Sequence, residues 1–133
     1  VDISSFKLFL LDCGLLGAMS EIPVEKLLVA DNGMEEAKGA FTENYLMSQL
    51  VATNDTSVFY YSNDAKLEID FLIQHGCDLV PIEAKAEENL RSKSLSTFVA
   101  NHPQLHGVRF SMSDYREQDW LTNIPLYAAS VYF

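Results

Sequence analysis

Asp70, Glu83 and Lys85 are the residues whose types and spacing could do chemistry. They fall on two stretches that alternate between apolar and polar side chains, Lys66 to Gln74 and Asp78 to Lys85, joined across His75-Gly76-Cys77. Such alternation predicts two β-strands, and the short connection predicts that they pair as a hairpin. Residues equidistant from the turn oppose each other, so a loop over His75 to Asp78 sets Asp70 against Glu83; shorter loops shift the partner by one or two. Glu83 and Lys85 share a face. Two carboxylates side by side repel unless a cation sits between them. A hard divalent ion on oxygen ligands, with a lysine to orient or help deprotonate a water, is chemistry that this set could perform. The same side chains can instead pair only with one another, as a structural ion cluster that binds no metal.

The elements that must position these groups follow from periodicity. Ala37, Ala40, Met47, Leu50 and Val51 recur at helical spacing and predict a helix over Glu35 to Thr53. Glu43 falls on that stripe and is expected to face inward, where an ionised carboxylate is costly unless paired or bound to a cation. Ser57 to Ser62 predicts a strand before the hairpin. In the hairpin itself Leu67, Ile69, Phe71 and Ile73 are expected on one face, with Glu68, Asp70 and Leu72 on the other. Leu95, Phe98 and Val99 predict a second helix over Leu90 to His102, stopped by Pro103. Gly107 to Met112 predicts a strand parallel to the third, because strand, helix and strand follow one another. Asp114 to Thr122 reads as a short helix and Pro125 to Phe133 as a last strand. Ahead of all this, Phe6 to Leu11 reads as a strand or buried run, Gly14 to Gly17 as a short helix or turn, and Val24 to Ala30 as a short helix. Residues 1–34 are thus expected to form a lead-in segment and residues 35–133 the main domain.

Composition narrows the function classes. At 133 residues the chain is long enough for one domain with its own core. Its 9 Lys+Arg against 19 Asp+Glu give a net charge of −10, which excludes nucleic-acid affinity from bulk charge but not a local site. Arg91 and Lys93, at the start of the second helix, are candidates for phosphate contacts, or are solvated helix-start residues. Cys13 and Cys77 lack C-x-x-C spacing, so a reduced, cytoplasmic setting is expected. No apolar run is long enough to span a membrane, and no P-loop is present. The start at Val1 suggests a piece of a longer polypeptide.

Glu43 on a helix, Asp70 in Ile69-Asp70-Phe71 and Glu83-Ala84-Lys85 after a hairpin together resemble the PD-(D/E)XK nuclease constellation. More closely, Lys7-Leu8-Phe9 with Asp12-Cys13-Gly14-Leu15, Gly39-Ala40-Phe41-Thr42-Glu43-Asn44-Tyr45, Glu68-Ile69-Asp70-Phe71 and Pro81-Ile82-Glu83-Ala84-Lys85 are similar to one branch of it. That branch is the domain of unknown function found C-terminal to the ATPase module of many bacterial and archaeal AAA-type ATPases. The resemblance implies an α/β, restriction-endonuclease-like core of order αβββαβ, with a mixed four- to five-stranded sheet flanked by helices. It implies Mg2+ or Mn2+ held by Asp70, Glu83 and the backbone carbonyl of Ala84, with Lys85 acting on the attacking water and Glu43 completing the catalytic set. It further implies DNA as substrate and an ATPase domain of the same polypeptide as partner. The alternative expectation is a catalytically silent nuclease-like module that binds nucleic acid or a protein partner for that ATPase.

Overall fold

The structure is a computed structural model, and it describes residues 6–23, 25–26, 32–53, 57–63, 66–86 and 91–132. Helix α1 (Cys13–Ser20) starts where Asp12 accepts the Leu15 N–H on its side chain at 2.8 Å, capping the first turn. A 3₁₀ turn (Asn32–Met34) leads into α2 (Glu35–Thr53), whose first turn carries Glu35 and Glu36 at the positive end of the helix. Strands β1 (Val58–Ser62), β2 (Glu68–His75) and β3 (Asp78–Ala84) follow, then α3 (Lys93–Asn101) and β4 (Gly107–Ser111). Short β5 (Arg116–Glu117), β6 (Leu121–Pro125), a 3₁₀ turn (Leu126–Ala128) and α4 (Ala129–Tyr132) complete the described chain.

The strands form one mixed sheet of six, in the order β1-β2-β3-β4-β6-β5. β1, β2 and β3 pair antiparallel, whereas β3-β4 and β4-β6 pair parallel. The parallel β3-β4 pair is the one expected from the intervening helix. Two apolar clusters cover the sheet. Leu46 and Leu50 of α2 and Ala129 of α4 pack with Phe71, Ile73, Ile82, Val108, Phe110 and Ile124. Leu95, Phe98 and Val99 of α3 pack with Ile69 and Leu121. The α3 side is tight: a Cβ on Gly107 would meet the Leu95 side chain at 3.2 Å and the Trp120 carbonyl oxygen at 3.3 Å, so the helix rests almost on the β4 backbone.

Four expectations are corrected. The sheet has six strands, not four or five. Phe6 to Leu11 is irregular rather than a strand, and Phe6, Leu8 and Leu11 stay exposed because no neighbouring strand receives them. The described residues 114–132 are not helix then strand. They hold β5 and β6 followed by helical turns, because Asn123 is buried in a polar network that hides the alternation of β6. On α2 the buried line is Thr42, Leu46 and Leu50 with Asn44, while Ala40 and Val51 are exposed and Glu43 is only half-buried. The expected helix at Val24 to Ala30 falls mostly outside the described residues, as does Leu90, where the second helix was expected to start.

Candidate functional site

The hairpin between β2 and β3 sets the site. Its two-residue turn is Gly76-Cys77, with His75 paired to Asp78 and Phe71 to Ile82, and the same register brings Asp70 level with Glu83. Gly76 has φ +62, a left-handed conformation that glycine adopts without strain. Pairing with β1 adds a second constraint. Phe59 pairs with Leu72 but Tyr61 with Ile69, so β2 carries one extra residue, a bulge around Asp70 and Phe71. The strict alternation expected for β2 therefore fails. Ile69 packs in the α3 cluster, whereas Phe71 and Ile73 pack in the α2 cluster, and the Asp70 carboxylate joins them on the α2 side.

Asp70 Oδ2 accepts the Ala84 N–H at 2.9 Å, which ties it to the middle of Glu83-Ala84-Lys85. Burial, reinforced by Glu43 and Glu83 and opposed by the Ala84 N–H and Lys7, pushes the Asp70 carboxyl up to about 6. Glu83 is buried toward the start of α3. It accepts a short hydrogen bond from the hydroxyl of Ser92, and its Oε1 lies 3.3 Å from Lys85 Nζ. Glu43, Glu68, Asp70, Glu83, Ala84, Lys85 and Arg91 border one cleft of about 430 Å³. Lys93 is not on its wall.

Lys7 is the residue that sequence reasoning missed. Its ammonium lies 3.2 Å from Glu43 Oε2, 2.7 Å from Glu68 Oε1 and 3.8 Å from Asp70 Oδ1, and 5.9 Å from the Tyr60 ring centre. Burial pulls its pKa down, but the Glu68 hydrogen bond and the charges of Glu43 and Asp70 outweigh it and the net shift is upward. Two contacts hold the segment in place: Leu10 donates its N–H to the buried Asn44 Oδ1 at 2.8 Å, and the Phe9 and Phe71 rings lie 5.7 Å apart. The signal in the sequence was a lone cation inside the apolar run Phe6 to Leu11, ahead of a chain rich in acids. Glu68, expected on the face of Asp70, is half-exposed and engaged by Lys7.

These oxygens are hard donors, and Mg2+ is bound through one or two carboxylates plus waters, so Asp70, Glu83 and the Ala84 carbonyl suit it in kind. Among the described residues no three His, Cys, Asp or Glu side chains stand close enough to hold a metal ion between them. The histidines do other work: His102 bonds the Phe98 carbonyl and His106 the Thr122 hydroxyl, each at 2.8 Å.

A family model described as Domain of unknown function (DUF4143) matches residues 38–128. The chain belongs to that family. The matched span runs from the start of α2 to the turn after β6 and so includes Glu43, Asp70, Glu83 and Lys85, while Lys7 lies ahead of it. No curated protein and no solved structure matches the chain. Among the described residues no helix is long and apolar enough to cross a membrane.

Proposed function

We propose that this chain is a PD-(D/E)XK-type nuclease domain, a divalent-metal-dependent phosphodiesterase acting on DNA and joined to an ATPase of the same polypeptide. The observation that carries this reading is the bond from the Ala84 N–H to Asp70, which locks the Ile69-Asp70-Phe71 strand against Glu83-Ala84-Lys85 at one cleft. The order α2-β1-β2-β3-α3-β4, with β3 and β4 parallel, supports a restriction-endonuclease-like core.

Bound Mg2+ or Mn2+ would supply Lewis-acid activation of the phosphate and a more acidic water. Asp70, Glu83 and the Ala84 carbonyl are the groups to hold it. Lys85, 3.3 Å from Glu83 at the cleft wall, would orient the attacking water and offset charge on the phosphate. Glu43, at the cleft wall, would hold a water there. Arg91, on the rim, contacts a phosphate beside the scissile one.

One observation favours a second reading, a nuclease-like module without turnover. Lys7 already pairs with Glu43, Glu68 and Asp70, in the place a metal cation would take. Cleavage of a panel of linear, nicked, branched and single-stranded DNA with Mn2+, comparing wild type with Lys85→Ala, separates the two. Cleavage lost in Lys85→Ala supports the nuclease. No cleavage by either, with Mn2+ still bound by wild type, supports the silent module.

A further inference from the structure

A second cavity, of about 460 Å³, opens beside the start of α3 and is lined by Arg91, Lys93, Arg109 and Arg116 together with Ser92 and Trp120. These are four of the nine cations in a chain of net charge −10. Like charges gathered round one space destabilise each other unless something negative sits among them. Arg109 illustrates the cost. It is 3 % exposed, and burial, with a smaller contribution from the like charge of Arg116, lowers its pKa, while Glu83 is its compensating acid. Among the described residues no ion pair engages Arg91, Lys93 or Arg116.

The helix end adds to this field. Ser92 is the N-cap residue of α3, but its hydroxyl goes to Glu83 and not to the first-turn N–H groups. That leaves the positive end of α3 without a side-chain cap, facing the cavity walled by Ser92, Lys93 and Ser96. Uncapped N–H groups with flanking Arg and Lys make a phosphate site by their chemistry. Built into the wall, Arg109 is fixed by Asn123 at 2.8 Å and by Ser92 at 3.0 Å, so its guanidinium is already in position.

We propose that this cavity is a phosphate-binding site, and that its ligand is a backbone phosphate of the strand engaged at the acidic cleft. Arg91 lines both spaces, so a polymer with repeating phosphates can occupy the two together, which a mononucleotide cannot. The inference rests on the nuclease-type reading for the identity of the strand, and on the cavity alone for the phosphate.

The test is fluorescence anisotropy of a labelled single-stranded DNA 12-mer in EDTA, where cleavage is switched off. Wild type and the double variant Lys93→Gln/Arg116→Gln are compared. Both altered residues of the double variant are exposed, and an unchanged melting temperature verifies the fold. At least tenfold weaker binding by the double variant and a shallower salt dependence are expected. Equal binding by the double variant overturns the site. Competition by inorganic phosphate or a mononucleotide at concentrations as low as those of unlabelled 12-mer overturns the strand as ligand. Binding that depends on Lys93 and Arg116 in a protein that never cleaves DNA keeps the phosphate site and sinks the nuclease reading; cleavage without such dependence does the reverse.

Discussion

The ammonium of Lys7 lies 2.7 Å from the Glu68 carboxylate and, on its other side, 3.2 Å from Glu43, bridging α2 and β2 from a segment that is neither helix nor strand. An internal cation therefore sits where repulsion between acids would be greatest. Lys7→Met removes the charge and keeps most of the side chain's bulk. The variant is expected to melt lower than wild type in EDTA and to regain most of the loss on adding Mn2+, with a larger metal-induced shift than wild type, because binding to the folded state alone stabilises it. Differential scanning fluorimetry with and without Mn2+ checks this. An identical Mn2+ response in both proteins would show that Lys7 and metal do not share the cluster.

Asp70 gives the protein a pH dependence of definite sign. Its carboxyl is pushed up to about 6 from an ordinary 3.8, so between those values the folded state holds a proton that the unfolded state has lost. Stability therefore falls as pH rises through this window, by roughly 3 kcal/mol, and the penalty is fully present at neutral pH. Asp70→Asn keeps an oxygen for the Ala84 N–H and removes the charge. It is expected to raise the melting temperature at pH 8, to flatten the slope between pH 4 and pH 6, and to lose any stabilisation by Mn2+. Melting curves across that range decide it; an unchanged slope would place the titrating group elsewhere.

Ser92 stands between two buried charges, donating to Glu83 and accepting from Arg109 Nη1 at 3.0 Å. Ser92→Ala leaves each of these buried charges one partner short, and a loss of about 1–3 kcal/mol follows. Ser96→Ala, which removes only a hydroxyl bonded to the Lys93 carbonyl of its own helix, should change stability by less than about 0.5 kcal/mol. Urea unfolding of the pair gives the comparison, and equal midpoints would mean that the Glu83-Ser92-Arg109 chain contributes nothing.

The bounds of α2, the β2-β3 hairpin and the parallel return to β4 are legible in the sequence, because each rests on a single clear period or on a short turn. Asp70, Glu83 and Lys85 inherit that legibility from the hairpin. Lys7 does not, since its place depends on Leu10 reaching Asn44 and Phe9 reaching Phe71, contacts that no local pattern encodes. The bulge in β2 is equally silent, as it is defined by the partner strand β1. The strand Leu121–Pro125 was overlooked for a third reason. Asn123 is 1 % exposed, satisfied by Arg109, Ser111 and the carbonyls of Ser113 and Asp114, so a residue that reads as turn-forming is in the core.

The Gly76-Cys77 turn serves as the zero mark of a ruler. Five residues of strand on each arm separate the His75-Asp78 pair from Asp70 and Glu83, a length of about 17 Å at roughly 3.4 Å per residue. One residue added at the turn would slide one acid past the other by a full graduation and swing its side chain through the sheet to the opposite face. The spacing of two carboxylates in the cleft is thus gauged by a loop at the far end of the hairpin, and the left-handed glycine at its tip keeps that gauge in calibration.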